Sequence, residues 1–170
     1  MYSPVLFAAR STKGITRLSP TERASVKLPD EVKEVLIGIL LGDAHIVRRS
    51  PTANSRLVYA QTAIKHKEYF DYVFSFFLPF CANDYKSQSR LVVDNSTKKT
   101  YSAISFTTMQ LPCFNEFKEM FYELNVKRVP FNIYELLTLR GLAFWLMDDG
   151  SRHGDGMHIG VYAFTNADVA

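Results

Sequence analysis

Two apolar segments of this chain each run into a carboxylate followed by a small residue: Leu36-Ile37-Gly38-Ile39-Leu40-Leu41-Gly42-Asp43-Ala44 and Leu142-Ala143-Phe144-Trp145-Leu146-Met147-Asp148-Asp149-Gly150. Each reads as the end of a helix, and the first is apolar on all sides there, so that end must be buried. The carboxylate falls at the helix C-terminus, where the macrodipole disfavours it by about 0.3–1 kcal/mol, and bringing two such ends together adds mutual repulsion. A fold that keeps both acids calls for a cation. A divalent metal such as Mg²⁺ is the natural one, because hard cations take carboxylate oxygens and leave positions open for water and phosphate. Gly38 and Gly42 lie four apart on one face of the first helix. Glycine inside a helix costs about 1 kcal/mol relative to alanine, a cost that makes sense where a second helix approaches closely. Such packing brings Asp43 and Asp149 together. The positions matching Gly38 and Gly42 in the second segment are Phe144 and Asp148, neither small, so either the helix contact is asymmetric or the register of the second segment is shifted.

The chain between the acids alternates in period. A helix opens at Pro29 with Asp30 and Glu31, acids suited to the positive end of the dipole. Residues 45–50 and 56–62 read as a hairpin around a turn rich in Pro, Asn, Ser and Thr. Residues 65–80 form an aromatic helix with Tyr69, Phe70, Val73, Phe74 and Phe77 at helical spacing, a core face and not a base-stacking platform. A second hairpin is expected over 88–94 and 98–108, a helix over 112–124, and a further helix from an Asn132 cap to about Asp148. Glycines then bracket a turn, and 157–165 alternates like a strand. Three regions follow: a basic N-terminal tail or arm at 1–28, a first domain at 29–130, and the start of a second at 131–170.

The chain's 170 residues suit one ordinary domain, and 23 aromatic side chains among them supply ample area to bury. A net charge of +3 says little by itself, but residues 43–100 carry nine cations against five anions, the distribution expected of a surface that meets phosphate. Cys81 and Cys113 have neither CxxC spacing nor a zinc pattern with the four histidines, and read as reduced core thiols. No run is long enough for a membrane span. The N-terminus is a poor secretory signal; it resembles an organelle transit peptide about as well as a flexible basic tail.

The two acid-ended segments resemble the paired motifs of the LAGLIDADG homing endonucleases. The stretch from Leu139 to Ser151 is similar to the second motif of double-motif members, and Lys127-Arg128-Val129-Pro130 leads toward it. Ala44 replaces the family's last glycine. The resemblance implies an α+β (mixed α/β) fold, an αββαββα repeat with an antiparallel β saddle, its second repeat incomplete here. It implies a monomer whose two motif helices pack between two saddles lying along the major groove of double-stranded DNA. Asp43 and Asp149 would then be catalytic and bind Mg²⁺ or another divalent metal, and hydrolyse one phosphodiester on each strand. A one-residue change of register exchanges Asp149 for Asp148. Lys127 and Gln61 match the family's basic and polar positions that order the attacking water.

A two-stranded ribbon fits the major groove with alternate side chains facing one way. His45, Val47 and Arg49 are the expected DNA side of the first strand, with Ile46 inward and Arg48 off that side; on the second hairpin Gln88, Arg90, Lys98 and Lys99 are the candidates. The leading expectation is an intron-encoded, metal-dependent homing endonuclease of the mitochondrion. The alternatives are a maturase that uses the saddle on group I intron RNA, and an inactive nucleic-acid-binding remnant. Only 20 residues follow Gly150. The expectation is therefore a piece of a longer frame, or a chain that needs a pairing partner to finish its site.

Overall fold

The structure, a computed structural model, describes residues 17–63, 66–83, 85–93 and 97–161. Ser19 caps the first helix, α1 (Pro20–Ser25), in a reciprocal box: its Oγ accepts from the Glu22 N–H at 3.2 Å, and the Glu22 carboxylate accepts from the Ser19 N–H at 2.7 Å. Leu28, just beyond, is buried in the core. Within the region expected as a basic tail or arm, α1 thus forms a short helix that buries none of its own residues, and Leu28 joins the core. The tail and transit-peptide expectations for 1–16 lie outside the described residues.

Helix α2 (Asp30–Leu41) buries every residue from Val35 to Leu41. After it come β1 (His45–Arg48), β2 (Ser55–Thr62), α3 (Lys67–Phe77), β3 (Gln88–Val93), β4 (Thr100–Thr107) and α4 (Asn115–Phe121). The four strands form one antiparallel sheet in the order β1-β2-β4-β3. Its register sets Ile46 opposite Leu57, Tyr59 opposite Phe106 and Gln61 opposite Ile104, so these side chains share one face. That face is the core. Phe106 is its hub, with ring centroids 5.0 to 5.8 Å from Phe70, Phe74, Phe77 and Tyr59. Large rings so buried contribute about 1.5–3 kcal/mol each. The aromatic face of α3 is therefore core, as its spacing predicts. The other sheet face holds His45, Val47, Arg56, Gln88 and Arg90, by the same register.

The helix expected over 112–124 stops at Phe121. Tyr122–Glu123 (β5) instead pairs with Val126–Lys127 (β6) around Leu124 at φ 49° and Asn125 at φ 66°. Two consecutive positive φ values make a tight reversal of the kind that suits a hairpin. Asn tolerates that region, whereas Leu124 gives no sequence signal for it. The helix expected from Asn132 to Asp148 is two helices, α5 (Ile133–Leu136) and α6 (Leu139–Asp149). Leu137 and Thr138 break it in extended backbone, and Thr138, not Asn132, is the side-chain cap, accepting from the Gly141 N–H at 3.2 Å. Beyond α6, β7 (Gly150–His153) and β8 (Gly156–Ile159) form a hairpin. The strand expected over 157–165 covers 156–159, and 162–165 lie outside the described residues.

Helix α2 lies directly against α6. A Cβ on Gly38 would stand 2.2 Å from the Gly141 carbonyl oxygen and 2.9 Å from the Phe144 Cβ; one on Gly42 would stand 2.5 Å from an Asp148 carboxylate oxygen. The seam is asymmetric, the first of the two sequence alternatives: Gly38 and Gly42 come from α2, whereas α6 offers Gly141, whose added Cβ would meet the Glu34 carbonyl at 3.0 Å. At the opposite end Arg140 pairs with Glu31 at 3.1 Å and Glu34 at 3.6 Å.

Candidate catalytic site and nucleic-acid face

The close seam delivers both helix C-termini to the same edge of the sheet. Asp43 follows α2, and its carboxylate accepts from the Gln61 Nε2 at 2.7 Å, because Gln61 sits near the end of β2 on the core side and overhangs that edge. The β5–β6 reversal carries Lys127 to the same place. Its Nζ donates to the Gly42 carbonyl at 2.8 Å and to the Ala44 carbonyl at 2.9 Å, the two carbonyls that bracket Asp43. An ammonium has three donors, so one remains beyond these two bonds. Asp149 ends α6, and its carbonyl accepts from the Gly160 N–H at 2.9 Å. The structure thus brings together the four expected site residues Asp43, Asp149, Lys127 and Gln61.

Burial is the leading influence on each of these groups. Burial raises the Asp43 carboxyl above its ordinary value, against the Gln61 hydrogen bond and the Lys127 charge. Burial and then the Asp43 charge raise Asp149, opposed by Lys127 and the Trp145 indole. Burial pushes Lys127 down to about 8 although three carboxylates pull it upward. His45, nearby, is lowered by burial and by the Lys127 and Lys118 charges.

Asp148, the alternative to Asp149 by a one-residue change of register, is the most tightly bound acid of the group. Its Oδ2 accepts from the Asp43 N–H at 3.1 Å and its Oδ1 from the Tyr59 hydroxyl at 2.7 Å. Burial pushes it up to about 7, with those two hydrogen bonds opposing. A carboxylate with both oxygens engaged by protein donors has little left to offer a metal, whereas Asp43 has only its Oδ2 so engaged. The Asp149 carboxylate has fewer protein donors. No cluster of three or more His, Cys, Asp or Glu side chains is gathered for a metal among the described residues. A pair of hard carboxylates fits Mg²⁺ nonetheless, since that ion keeps several waters and takes few protein ligands alongside phosphate oxygens.

The exposed sheet face begins at this site. A groove of about 520 Å³ runs from Asp43 and Gln61 past Thr62, Ala103 and Tyr101 to Arg90. Gln88 and Arg90 are exposed and pair with Ser105 and Ala103, and His45 and Val47 pair with Val58 and Arg56 on the same side. Arg56, absent from the sequence candidates, joins this face by simple alternation along β2. Arg49 is exposed just past β1, and Lys98 and Lys99 are exposed before β4, with Lys98 at φ 56°. Ile46 points inward, and Arg48 leaves the face to bond the Ser55 hydroxyl at 3.1 Å and Glu119 at 3.2 Å.

Helices joined at a glycine seam, acids at their shared end and a four-stranded saddle beside them define a class whose members are known. The sequence profile of the LAGLIDADG DNA endonuclease family matches residues 33–170, and the chain belongs to that family. It is similar to the cytochrome b mRNA maturase bI2 of Debaryomyces hansenii, 31% identical over 145 residues, covering 84% of this chain and 54% of the relative. It is also similar to the DNA endonuclease I-ChuI of Chlamydomonas applanata, 27% identical over 132 residues, covering 74% and 60%. Among solved structures, the homing endonuclease I-WcaI bound to its DNA recognition sequence shares the fold with a TM-score of 0.76 at 18% identity, covering 89% of this chain and 71% of that one. The chain spans between half and three-fifths of the length of these two curated relatives.

Proposed function

We propose that this chain is a homing endonuclease that hydrolyses phosphodiesters of double-stranded DNA with a divalent metal. The observation that carries the reading is the convergence of Asp43 and Asp149, from two helices, at the edge of a basic, open sheet face. Asp43 and Asp149 would hold Mg²⁺, which supplies Lewis-acid stabilisation and an activated water when bound. Gln61 fixes the Asp43 carboxylate, and Lys127 fixes the backbone on both sides of it; its remaining N–H would be left for the reacting phosphate or water. His45, Val47, Arg56, Gln88 and Arg90 read or grip the duplex, with Arg49, Lys98 and Lys99 toward the backbone. The domain division at 131, a site finished either within a monomer or by a pairing partner, and a mitochondrial setting belong to the same proposal. Relatives named for cytochrome b mRNA support the setting and intron encoding.

The maturase names of those relatives also favour a second reading, in which the saddle serves intron RNA. A paired assay separates the two. Asp43→Asn and Asp149→Asn abolish scission of the intronless duplex if the chain is an endonuclease, and leave splicing assistance intact if it is a maturase. Wild-type protein that binds that duplex with Mg²⁺ and leaves it uncut removes the endonuclease reading.

A further inference from the structure

We infer that Asp148 is a positioning residue that holds Asp43 in place across the helix seam, an inference that rests on the endonuclease reading. At the end of α2 the Gly42 N–H is satisfied by the Gly38 carbonyl at 3.3 Å and the Ala44 N–H by the Ile39 carbonyl at 2.9 Å. The Asp43 N–H between them turns to the other helix, to Asp148 Oδ2. The same carboxylate reaches Asp43 by a second route: Tyr59 donates to its Oδ1, Gln61 donates to the Tyr59 oxygen at 3.1 Å, and Gln61 donates to Asp43 Oδ2 at 2.7 Å. Backbone and carboxylate of Asp43 are therefore both tied to one side chain on α6.

Packing alone does not call for this residue. Glycine or alanine would fill the seam opposite Gly42, as Gly141 does opposite Gly38, whereas a buried carboxylate is tolerated only when hydrogen-bonded. Gly42 is what admits it, since a Cβ there would stand 2.5 to 2.6 Å from Asp148 atoms. The two motif acids are consequently unequal: Asp43 is framed by Asp148, Gln61 and Lys127, while the backbone of Asp149 is tied through its carbonyl to Gly160.

The test compares Asp148→Ala, Asp148→Asn and Tyr59→Phe with wild type by two readouts. The first is hydrogen exchange of the Asp43 amide by NMR in the metal-free chain; the second is the Mg²⁺-dependent scission rate at saturating duplex. Asp148→Ala is expected to accelerate Asp43 exchange about tenfold or more while Ile39 and Leu40 amides keep their protection. It should also slow scission about tenfold or more, the scale of a lost charged hydrogen bond, with duplex affinity within about twofold. Asp148→Asn keeps an oxygen acceptor and should restore most of both. Tyr59→Phe should slow scission with the charge unchanged. Unaltered Asp43 exchange in Asp148→Ala overturns the inference, and so does faster exchange with an unaltered scission rate. If wild type does not cut, the endonuclease reading fails alone, and the exchange result still decides whether Asp148 holds Asp43.

Discussion

Replacing Gly38 by alanine probes the helix seam with a single methyl group. Its Cβ would lie 2.2 Å from the Gly141 carbonyl oxygen, whereas ordinary contact begins near 3.4 Å, and the obstruction is backbone that cannot rotate away. The seam must open by roughly 1 Å, an overpacking that costs up to about 3 kcal/mol. Alanine's better helix propensity returns about 1 kcal/mol. The net loss is about 2 kcal/mol, which for a chain of this size lowers Tm by roughly 4–8 °C. Thermal unfolding followed by circular dichroism measures it. Gly42→Ala is the companion: its obstruction is the Asp148 side chain, which can swing aside, but only by releasing the Asp43 N–H. Gly38→Ala should therefore be the more destabilising of the two. A Gly38→Ala protein that melts at or above the wild-type temperature refutes the close seam, because only the propensity gain would then have been expressed.

Arg90→Ala should weaken duplex binding and reduce the slope of log affinity against log salt by about 1 if Arg90 meets a phosphate; an unchanged slope with relaxed sequence preference would assign it to a base instead. Arg48→Ala should leave that slope unchanged yet lower Tm by a few degrees, since its side chain ties β1 to Ser55 and Glu119 inside the fold; a loss of salt dependence would place it on the DNA side. Burial pushes the Cys81 thiol up to about 12 and the Cys113 thiol up to about 11. Both should resist iodoacetamide at pH 8 in native protein and react in denaturant, Cys81 being the slower; rapid native alkylation of Cys81 contradicts its burial.

The motif helices, the hairpins and the aromatic core face were legible because their information is local and periodic. Ile46 falls inward by alternation, and Phe70, Val73 and Phe77 by helical spacing. The acids Asp43 and Asp149 could be found because a carboxylate at a helix C-terminus is energetically out of place. What escaped depends on contacts distant in sequence or on single residues. The split of α5 from α6 turns on Thr138 as a cap, and the β5–β6 reversal on Leu124 adopting a positive φ that sequence does not announce. Asp148 entered only as a register alternative to Asp149, and its bonded role was not legible because its partners, the Asp43 N–H and the Tyr59 hydroxyl, lie 105 and 89 positions away and exist only once α2 meets α6.

On the proposed reading, Asp43 and Asp149 together make a metal-dependent nuclease site at the seam. Its most direct test is Mg²⁺-initiated scission of the intronless duplex by wild type, Asp43→Asn and Asp149→Asn at matched duplex occupancy. Scission by wild type that is lost in each variant while duplex binding persists is the predicted result. Scission that survives in both variants, or a bound duplex that wild type leaves intact, contradicts it.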